Sequence, residues 1–396
     1  VLLAHCDRGG RSLFRSVFRF HLFRGRPDIR VLHTFENDAD SEFTELHSLV
    51  LRSELRVGRS PSGSMERRGA DFASGKSPLR LRQILDGQYV MHRGRRLLCR
   101  GRKASGAACL TGSAGAVQLS VRDFWQNYPK GICVDSSGFS LEVCPPLDPA
   151  SYPKGGEWED RLFFYLMDGR YKLKCGVART CEFWLRFEAE SDQRGAADFR
   201  RLVQSPPLYS VPLDYLNRTR SLHYLPPKDP SPDPAYESWV EAARKAYAGD
   251  RRESRAYGML NYGDWFGERR YNWGNLEYDA SWGFLQEYLR GGHSDFYTWA
   301  EEAAHHLVDV DRRRPVSLSG QPRSGHQSQQ GQPPDPSSSG PVCSRAGAHT
   351  GASPYHGDPP APLPSSACGG SPPTSAASTR CGRRACPGRL TASWMV

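Results

Sequence analysis

The sequence predicts a multidomain β + α protein: an antiparallel β-sandwich, then the first helices of a larger helical array, and then a disordered tail. Three observations predict this order. Apolar and polar residues alternate over many short segments in residues 1–225. The apolar period becomes helical in residues 226–311, and no period remains in residues 312–396. We therefore expect three domains with these boundaries.

Strand-like alternation begins near Leu13 and continues to about Val57, interrupted by turn residues at 25–28. The following stretch, 58–116, is rich in Gly, Ser and Arg. We expect this stretch to form long surface excursions, with one short helix or strand near residues 79–85.

Alternation returns after residue 116 and predicts further strands. The turn residues 136–138 separate two apolar segments, and the Asp-Gly pair at 168–169 marks a second hairpin. Residues 181–187 alternate as a strand with one buried face would. Because many strands follow one another without helices between them, a β-sandwich is favoured.

The helical part follows the proline-rich connector 226–234. Asp233 can cap a first helix. A second helix is expected over about 276–290, before a Gly-Gly stop, and a third begins near Ser294. These helices are apolar on more than one side, so they are expected to lie between neighbours in a larger array.

The tail, residues 312–396, has no periodic apolar pattern and cannot bury enough surface to offset its ordering entropy. It is either a natural disordered tail or the product of a reading-frame error in a GC-rich gene, and we favour the second. The chain opens without an initiator methionine, so we expect the true start to be missing. The cellular compartment therefore stays unknown from this end.

Composition excludes several classes of protein. Nine arginines and two aspartates give residues 312–396 a charge of +7, which leaves only +3 of the total +10 to residues 1–311. Without a basic face, nucleic-acid binding is disfavoured. The longest apolar run, 163–167, is far shorter than the roughly 20 residues that span a bilayer. We therefore expect neither a nucleic-acid nor a membrane partner.

The eleven cysteines include no C-x-x-C pair, which disfavours zinc ribbons and redox motifs. Cys133, Cys144, Cys175 and Cys181 lie in strand-like segments, and we expect them to be small buried hydrophobic residues rather than disulfides. His305, His306, Asp309 and Asp311 suggest a metal site, because His305 and Asp309 lie one turn apart on the third helix. Because two ligands from one helix fall short of a site, we expect no metal and no cofactor.

The stretch GDWFGERRYNWGNLEYD, residues 263–279, concentrates aromatic rings, arginines, amides and carboxylates. Aromatic rings stack on the C–H faces of sugars. Amides and carboxylates bind the sugar hydroxyls, and the guanidinium of arginine binds a carboxylate through two hydrogen bonds. An acidic sugar is thus a suitable ligand. A packed, hydrogen-bonded interdomain loop is the alternative, and the residues alone favour neither.

Four segments, VLHTFENDAD, VRDFWQNYPKGICV, GVARTCEFWLRF and YGMLNYGDWFGERRYNWGNLEYD, together resemble the exo-rhamnogalacturonan lyase family, also called YetA-like. The family has an N-terminal β-barrel-like domain, a central β-sandwich and a C-terminal α/α toroid. The resemblance covers about residues 1–311. It implies the central sandwich, a truncated toroid, an extracytoplasmic or secreted location, and β-elimination at a galacturonate of an acidic polysaccharide or oligosaccharide.

The resemblance also implies roles for single residues. In β-elimination, a cation stabilises the charge that grows on the C6 carboxylate, a base removes the C5 proton, and an acid can protonate the departing O4. Arg269 matches the position of a catalytic arginine. The expected catalytic residues are Arg269, Tyr278 and Arg179. The expected substrate-binding residues are Asp264, Trp265, Arg270, Asn272, Trp273, Asn275, Glu277, Asp279, Trp282 and Lys130.

Two departures from the family pattern bear on activity. Trp282 stands where the family has a histidine, and Arg179–Thr180–Cys181 replaces its lysine-threonine-histidine element. A tryptophan does not titrate, and an arginine stays protonated. The usual proton-transfer groups are therefore expected to be absent. Because a toroid of about three helices leaves exposed apolar faces and half a cleft, we also expect the chain to be inactive on its own. The alternatives are a non-catalytic sugar-binding or structural remnant, and hydrolysis by carboxylates such as Glu277 and Asp279.

Overall fold

The computed structural model describes residues 1–39, 41–67, 71–151, 169–189, 193–229, 231–264, 275–311 and 392–395. Contacts between residues divide the chain into two units. One comprises Val1–Pro333 with Gly388–Val396, and the other is Pro334–Pro387. Every residue of the second unit lies outside the described ranges. The predicted domain boundary near residue 226 stays a prediction.

The described residues contain seventeen strands. They are β1 (Leu2–Cys6), β2 (Ser12–Leu22), β3 (Asp28–Asn37), β4 (Phe43–Leu46), β5 (Leu49–Leu55), β6 (Ser62–Arg67), β7 (Asp71–Gly75), β8 (Leu79–Leu85), β9 (Gln88–Arg93), β10 (Arg96–Gly101), β11 (Ala107–Gly112), β12 (Gly115–Val121), β13 (Lys130–Asp135), β14 (Gly138–Cys144), β15 (Tyr171–Lys174), β16 (Ala178–Glu188) and β17 (Ala392–Met395).

Two large antiparallel sheets account for fifteen of these strands. The first has the order β1-β2-β3-β16-β12-β11-β6-β7 and the second the order β10-β9-β8-β13-β14-β5-β17, while β15 pairs with β4. The facing sides share one apolar cluster, in which Phe35 and Phe183 of the first sheet join Leu81 and Ile132 of the second. The predicted antiparallel β-sandwich is therefore confirmed.

The two predicted hairpins within the described residues have the expected turns. Strands β2 and β3 pair from Leu22 opposite Ile29, across residues 25–28. Strands β13 and β14 pair Val134 with Phe139. The predicted hairpin at 168–169 lies partly outside the described residues.

The prediction of surface excursions over residues 58–116 is wrong, because the stretch contributes strands β6 to β11 to both sheets. The arginines of this stretch obscured the alternation of apolar and polar residues in the sequence. In β8, Leu79 and Leu81 are buried in the core. Arg82 points the other way and donates to Glu142 over 2.6 Å. An arginine-rich strand can thus bury its apolar side chains on one face of the sheet, while its arginines form ion pairs on the other face.

Six α-helices lie in the described residues, followed by a π-helical turn, Leu307–Asp311, and preceded by a 3-10 turn, Pro149–Ser151. The helices are α1 (Gln193–Gln204), α2 (Leu213–Thr219), α3 (Pro234–Glu253), α4 (Asn275–Tyr278), α5 (Ala280–Gly291) and α6 (Ser294–His306). None of them combines the length and the apolar character needed to cross a membrane. Helices α1 and α2 were not predicted from the sequence.

The three predicted helices are present. Asp233 caps α3 by accepting from the backbone N–H of Tyr236. Gly292 ends α5 in a left-handed conformation with φ 73°. The predicted second helix is divided into α4 and α5, since Asp279 between them has φ 48°.

A second apolar cluster holds the helices together. It contains Val240 of α3, Tyr288 of α5, and Phe296 and Trp299 of α6. Other apolar side chains of these helices face solvent, among them Trp239, which is 66% exposed. Of the predicted disordered tail, the described part is β17, which pairs with β5. The rest of that tail lies outside the described residues.

Candidate functional site

A small cavity lies between the first sheet and helix α6. Its volume is about 60 Å³, which is room for a few water molecules or one carboxylate group. Strands β3 and β16, the β12–β13 connection, Tyr262, α6 and the π-helical turn contribute its walls. We call this region the helix–sheet junction. Its charged residues are Arg122, Asp123, Lys130, Arg179, Glu182, Glu301, Glu302 and Asp309.

Two residues singled out from the sequence, Lys130 and Arg179, meet at this cavity. Lys130 is only 4% exposed and Arg179 only 6%. Nζ of Lys130 lies 3.5 Å from Sγ of Cys181, its one hydrogen-bond partner among the described residues. Arg179 donates from Nη2 to the amide oxygen of Asn127. A buried ammonium whose described partner is a thiol is costly, so an anion entering the cavity would be attracted to Lys130.

The glutamates contributed by α6 have cationic partners of their own. Glu301 accepts from Nη2 of Arg122 over 2.5 Å. Glu302 accepts from Nη2 of Arg251 over 2.6 Å and from the hydroxyl of Tyr262 over 2.5 Å. These ion pairs balance the acidic side of the cavity. Among the described residues, the Lys130 ammonium has no such carboxylate partner and contacts the thiol of Cys181 instead.

Asp123 is a cavity residue whose carboxyl pKa is raised toward neutral pH. Burial raises the pKa of its carboxyl to about 6, and the carboxylates of Glu302, Glu301 and Glu182 add to the effect, while the adjacent Arg122 opposes it. A carboxyl group with this pKa can accept or donate a proton at neutral pH. Asp123 is thus a candidate acid–base group.

Tyr262 cannot serve as a base in the same way. Burial, together with the carboxylate of Glu302, raises the pKa of its phenol well above the ordinary value. The hydroxyl therefore stays protonated and donates to Glu302. Its role is to hold α6 against the segment that leads into residues 263–279.

Both ends of the stretch 263–279 are attached to α6 beside the cavity. Gly263 has φ 96°, and a Cβ at this position would lie 2.2 Å from the carbonyl oxygen of Glu302, so only glycine fits. Asn275, 1% exposed, donates from Nδ2 to the carbonyl oxygens of Gly263, over 2.9 Å, and of Ala303, over 3.4 Å. The amide of Asn275 thus joins the two ends of the stretch to the helix.

A buried ionic cluster lies next to this attachment. Asp264, His306 and Asp311 each offer one ligand atom, and these atoms lie within 4.8 Å of one another. The sequence had indicated His306 and Asp311 as metal candidates but not Asp264, because Asp264 is far away in the chain. The three residues could hold a divalent cation if Nδ1 of His306 gave up its proton.

The hydrogen bonds of His306 indicate the protonation state of its imidazole. Its Nε2 donates to the carbonyl oxygen of Leu260 over 2.9 Å, and its Nδ1 lies 3.1 Å from Oδ2 of Asp311. Burial opposes a charge on the imidazole, but Asp264 and Asp311 outweigh it and raise the pKa of His306. The cluster is thus an imidazolium between two carboxylates, which ties the end of α6 to the loop.

The other residues predicted for the site fall into two groups. Tyr278 on α4, Asp279 between the helices and Trp282 on α5 are exposed, and none of these three lines the cavity. The others lie outside the described residues, as does the side chain of Glu277. They are Trp265, Arg269, Arg270, Asn272 and Trp273.

Sequence reasoning missed several cavity residues, notably Asp123, Tyr262 and Glu302. One signal could have indicated Asp123, since the charged pair Arg122–Asp123 directly follows the fully buried strand β12. Glu302 had no comparable signal, because a glutamate in an amphipathic helix normally faces water.

The chain has no match among models of known protein families, and no curated protein sequence matches it significantly.

Proposed function

We propose that this protein acts on an acidic, galacturonate-containing polysaccharide and binds the sugar carboxylate between Lys130 and Arg179. The single observation that carries this proposal is the buried ammonium of Lys130, whose hydrogen-bond partner among the described residues is the thiol of Cys181. A carboxylate in the cavity would replace this weak partner by a charge-assisted hydrogen bond. The cavity has room for a carboxylate group, so the sugar ring would lie at its mouth.

The reaction that fits this arrangement is β-elimination, as the family resemblance implies. Lys130 and Arg179 would stabilise the negative charge that develops on the carboxylate when C5 loses its proton. Asp123, with its pKa of about 6, would take that proton or deliver one to the departing O4. Arg269 is proposed as a further catalytic cation, on the resemblance alone. Helices α3, α5 and α6 would be the first helices of an α/α toroid.

A non-catalytic sugar-binding protein is the second candidate. It is favoured by the presence of Cys181 and Trp282 at positions where the resembling family has histidines. The indole of Trp282 has no titratable proton and therefore cannot replace a histidine as a proton carrier. The carboxylate-binding wall would be the same in both candidates, so binding and cleavage have to be measured separately.

Binding tests the shared part of the proposal. Wild type should bind rhamnogalacturonan oligosaccharides in a calorimetric titration, and Lys130→Met should weaken binding at least tenfold, because a hydrogen bond between charged groups contributes about 1.5–3 kcal/mol. Lys245→Met is the matched control, since Lys245 is 71% exposed and forms only a 3.5 Å ion pair with Glu241. Equal affinities for wild type and Lys130→Met would contradict the proposal.

Cleavage distinguishes the two candidates. If the protein is a lyase, incubation with rhamnogalacturonan should generate the absorbance of unsaturated uronides, and Arg269→Ala and Asp123→Asn should each abolish it. Binding without this absorbance would support the non-catalytic candidate. Shortened products without the double bond would instead indicate hydrolysis.

A further inference from the structure

Lys130 and Cys181 are held close together by the two sheets of the sandwich. Lys130 begins β13 of the second sheet, and Cys181 lies in β16 of the first. Their Nζ and Sγ atoms are 3.5 Å apart, and both side chains are at most 4% exposed. Because each residue is part of a paired strand, the contact does not depend on a mobile loop.

We propose that Cys181 and Lys130 form an oxidation-sensitive covalent cross-link, a sulfenamide bond between Sγ and Nζ, when the protein meets hydrogen peroxide. In the first step, the sulfur of Cys181 attacks peroxide, the O–O bond breaks, and a sulfenic acid and water result. The sulfur is oxidised by two electrons and the peroxide is reduced.

In the second step, Lys130 gives one proton to solvent and attacks the oxidised sulfur as a neutral amine. The S–N bond forms as the S–O bond breaks, and the departing hydroxide takes a second proton from the nitrogen and leaves as water. The product lacks the two hydrogen atoms lost by the thiol and the amine. A thiol reductant reverses it by attacking the sulfur.

The cavity supports both steps. Lys130 and Cys181 both line it, and its volume of about 60 Å³ admits a molecule the size of peroxide. A competing nucleophile is Cys144, which interacts electrostatically with Lys130 and Cys181. Burial raises the pKa of the Cys144 thiol, and the Lys130 ammonium offsets only part of this rise. Because thiols react as thiolates, Cys144 is a poor trap for the sulfenic acid.

The cross-link removes the positive charge of Lys130 from the cavity and ties the two sheets together. If the proposed function holds, oxidation should therefore switch off binding of an acidic sugar, and a reductant should restore it. This consequence depends on the proposed function. The cross-link itself does not.

The test is peptide mapping of the folded, full-length chain after peroxide treatment. The expected product is a cross-linked pair of peptides containing Lys130 and Cys181, lighter by two hydrogen atoms than the sum of its parts and separated by a thiol reductant. Cys144→Ser should give the same product. Lys130→Met should give none, and its Cys181 should react with a label specific for sulfenic acids.

Three results would overturn the inference. One is a disulfide between Cys144 and Cys181. Another is a sulfinic acid at Cys181 without a cross-link. The third is an unmodified Cys181 at a peroxide concentration that oxidises the exposed Cys6. A cross-link in a protein that fails to bind acidic sugars would contradict the proposed function and leave this inference standing.

Discussion

Two buried histidines show how differently the sandwich and the helix–sheet junction are stabilised. His33 in β3 lies 4.5 Å from the ring of Phe18, with its Nε2 3.0 Å from the hydroxyl of Ser16. Burial lowers its pKa to about 3, so it is neutral. His306 at the junction lies between two carboxylates that raise its pKa, so it is charged.

The difference reflects what each region buries. The sandwich packs apolar side chains from two sheets, and within this packing His33 is accommodated as a neutral, hydrogen-bonded side chain. The junction joins the sheet to α6 through ion pairs such as Arg122 with Glu301 and through Asp309, which accepts from the backbone N–H and the hydroxyl of Thr180. The two regions should therefore respond oppositely to pH.

The largest expected effect is acid destabilisation through His33. The unfolded histidine binds a proton below pH 6.5, whereas the folded one does so only near pH 3, so stability present above pH 6.5 is lost as the pH falls. The loss in free energy of unfolding should reach about 5 kcal/mol. Denaturant titrations from pH 7 to pH 3 should show it, and His33→Gln should remove most of the slope. An unchanged slope in His33→Gln would contradict the neutral assignment.

A cavity in the sandwich core should have the next largest effect. Phe183 is 1% exposed, and Phe183→Ala should lower the free energy of unfolding by about 3–5 kcal/mol through lost burial and the cavity left behind. Phe43, which is 45% exposed on β4, is the matched control. Phe43→Ala should change stability by less than about 0.5 kcal/mol in urea titrations. Similar losses for both variants would show that the apolar cluster is not the main source of stability.

Glycine-to-alanine substitutions test how closely the backbone packs at the helix–sheet junction, because each adds one methyl group. Gly263→Ala places a methyl group 2.2 Å from the carbonyl oxygen of Glu302 in a residue with φ 96°, and we expect a loss of about 2–3 kcal/mol. Gly249→Ala, in α3, meets no atom within 4 Å and should stabilise by up to about 1 kcal/mol. Thermal unfolding of both variants checks the pair. A neutral Gly263→Ala would mean that the loop does not approach α6 as described.

The smallest expected effect is a loss of stability in mild alkali through His306. Its folded pKa is raised, so the stabilisation is fully present below about pH 6.5 and is lost as the pH rises through the folded pKa. Asp264, Asp311 and Arg179 are the charged groups that face it. Denaturant titrations from pH 6 to pH 9 should show a decline that is absent in His306→Gln. A decline of equal size in His306→Gln would show that another group causes the loss of stability.

The sequence predicted the sandwich better than the junction, for a physical reason. Alternation in β16 and the turn between β2 and β3 are local patterns, and both were confirmed. The strands of residues 58–116 were missed because their arginines form cross-strand ion pairs. The contact between Arg122 and Glu301 joins residues 179 positions apart, and no local pattern indicates such a pairing.

The candidate site was predictable only in part. Lys130 and Arg179 were singled out from the sequence, and the structure brings them to one cavity. Asp264 and Asn275 were expected to contact sugar, yet they are buried and hold the loop against α6. Sequence patterns identify residue types that suit a ligand. They do not reveal which of those side chains the packing uses for itself.

The central claim is that Lys130 and Arg179 hold a carboxylate. Its most direct test compares the binding of a galacturonate-containing oligosaccharide with that of its methyl ester, which keeps the shape and removes the charge. Wild type should bind the acid at least tenfold more tightly than the ester, and Lys130→Met should lose this preference. Equal affinities for acid and ester in wild type, or an intact preference in Lys130→Met, would contradict the claim.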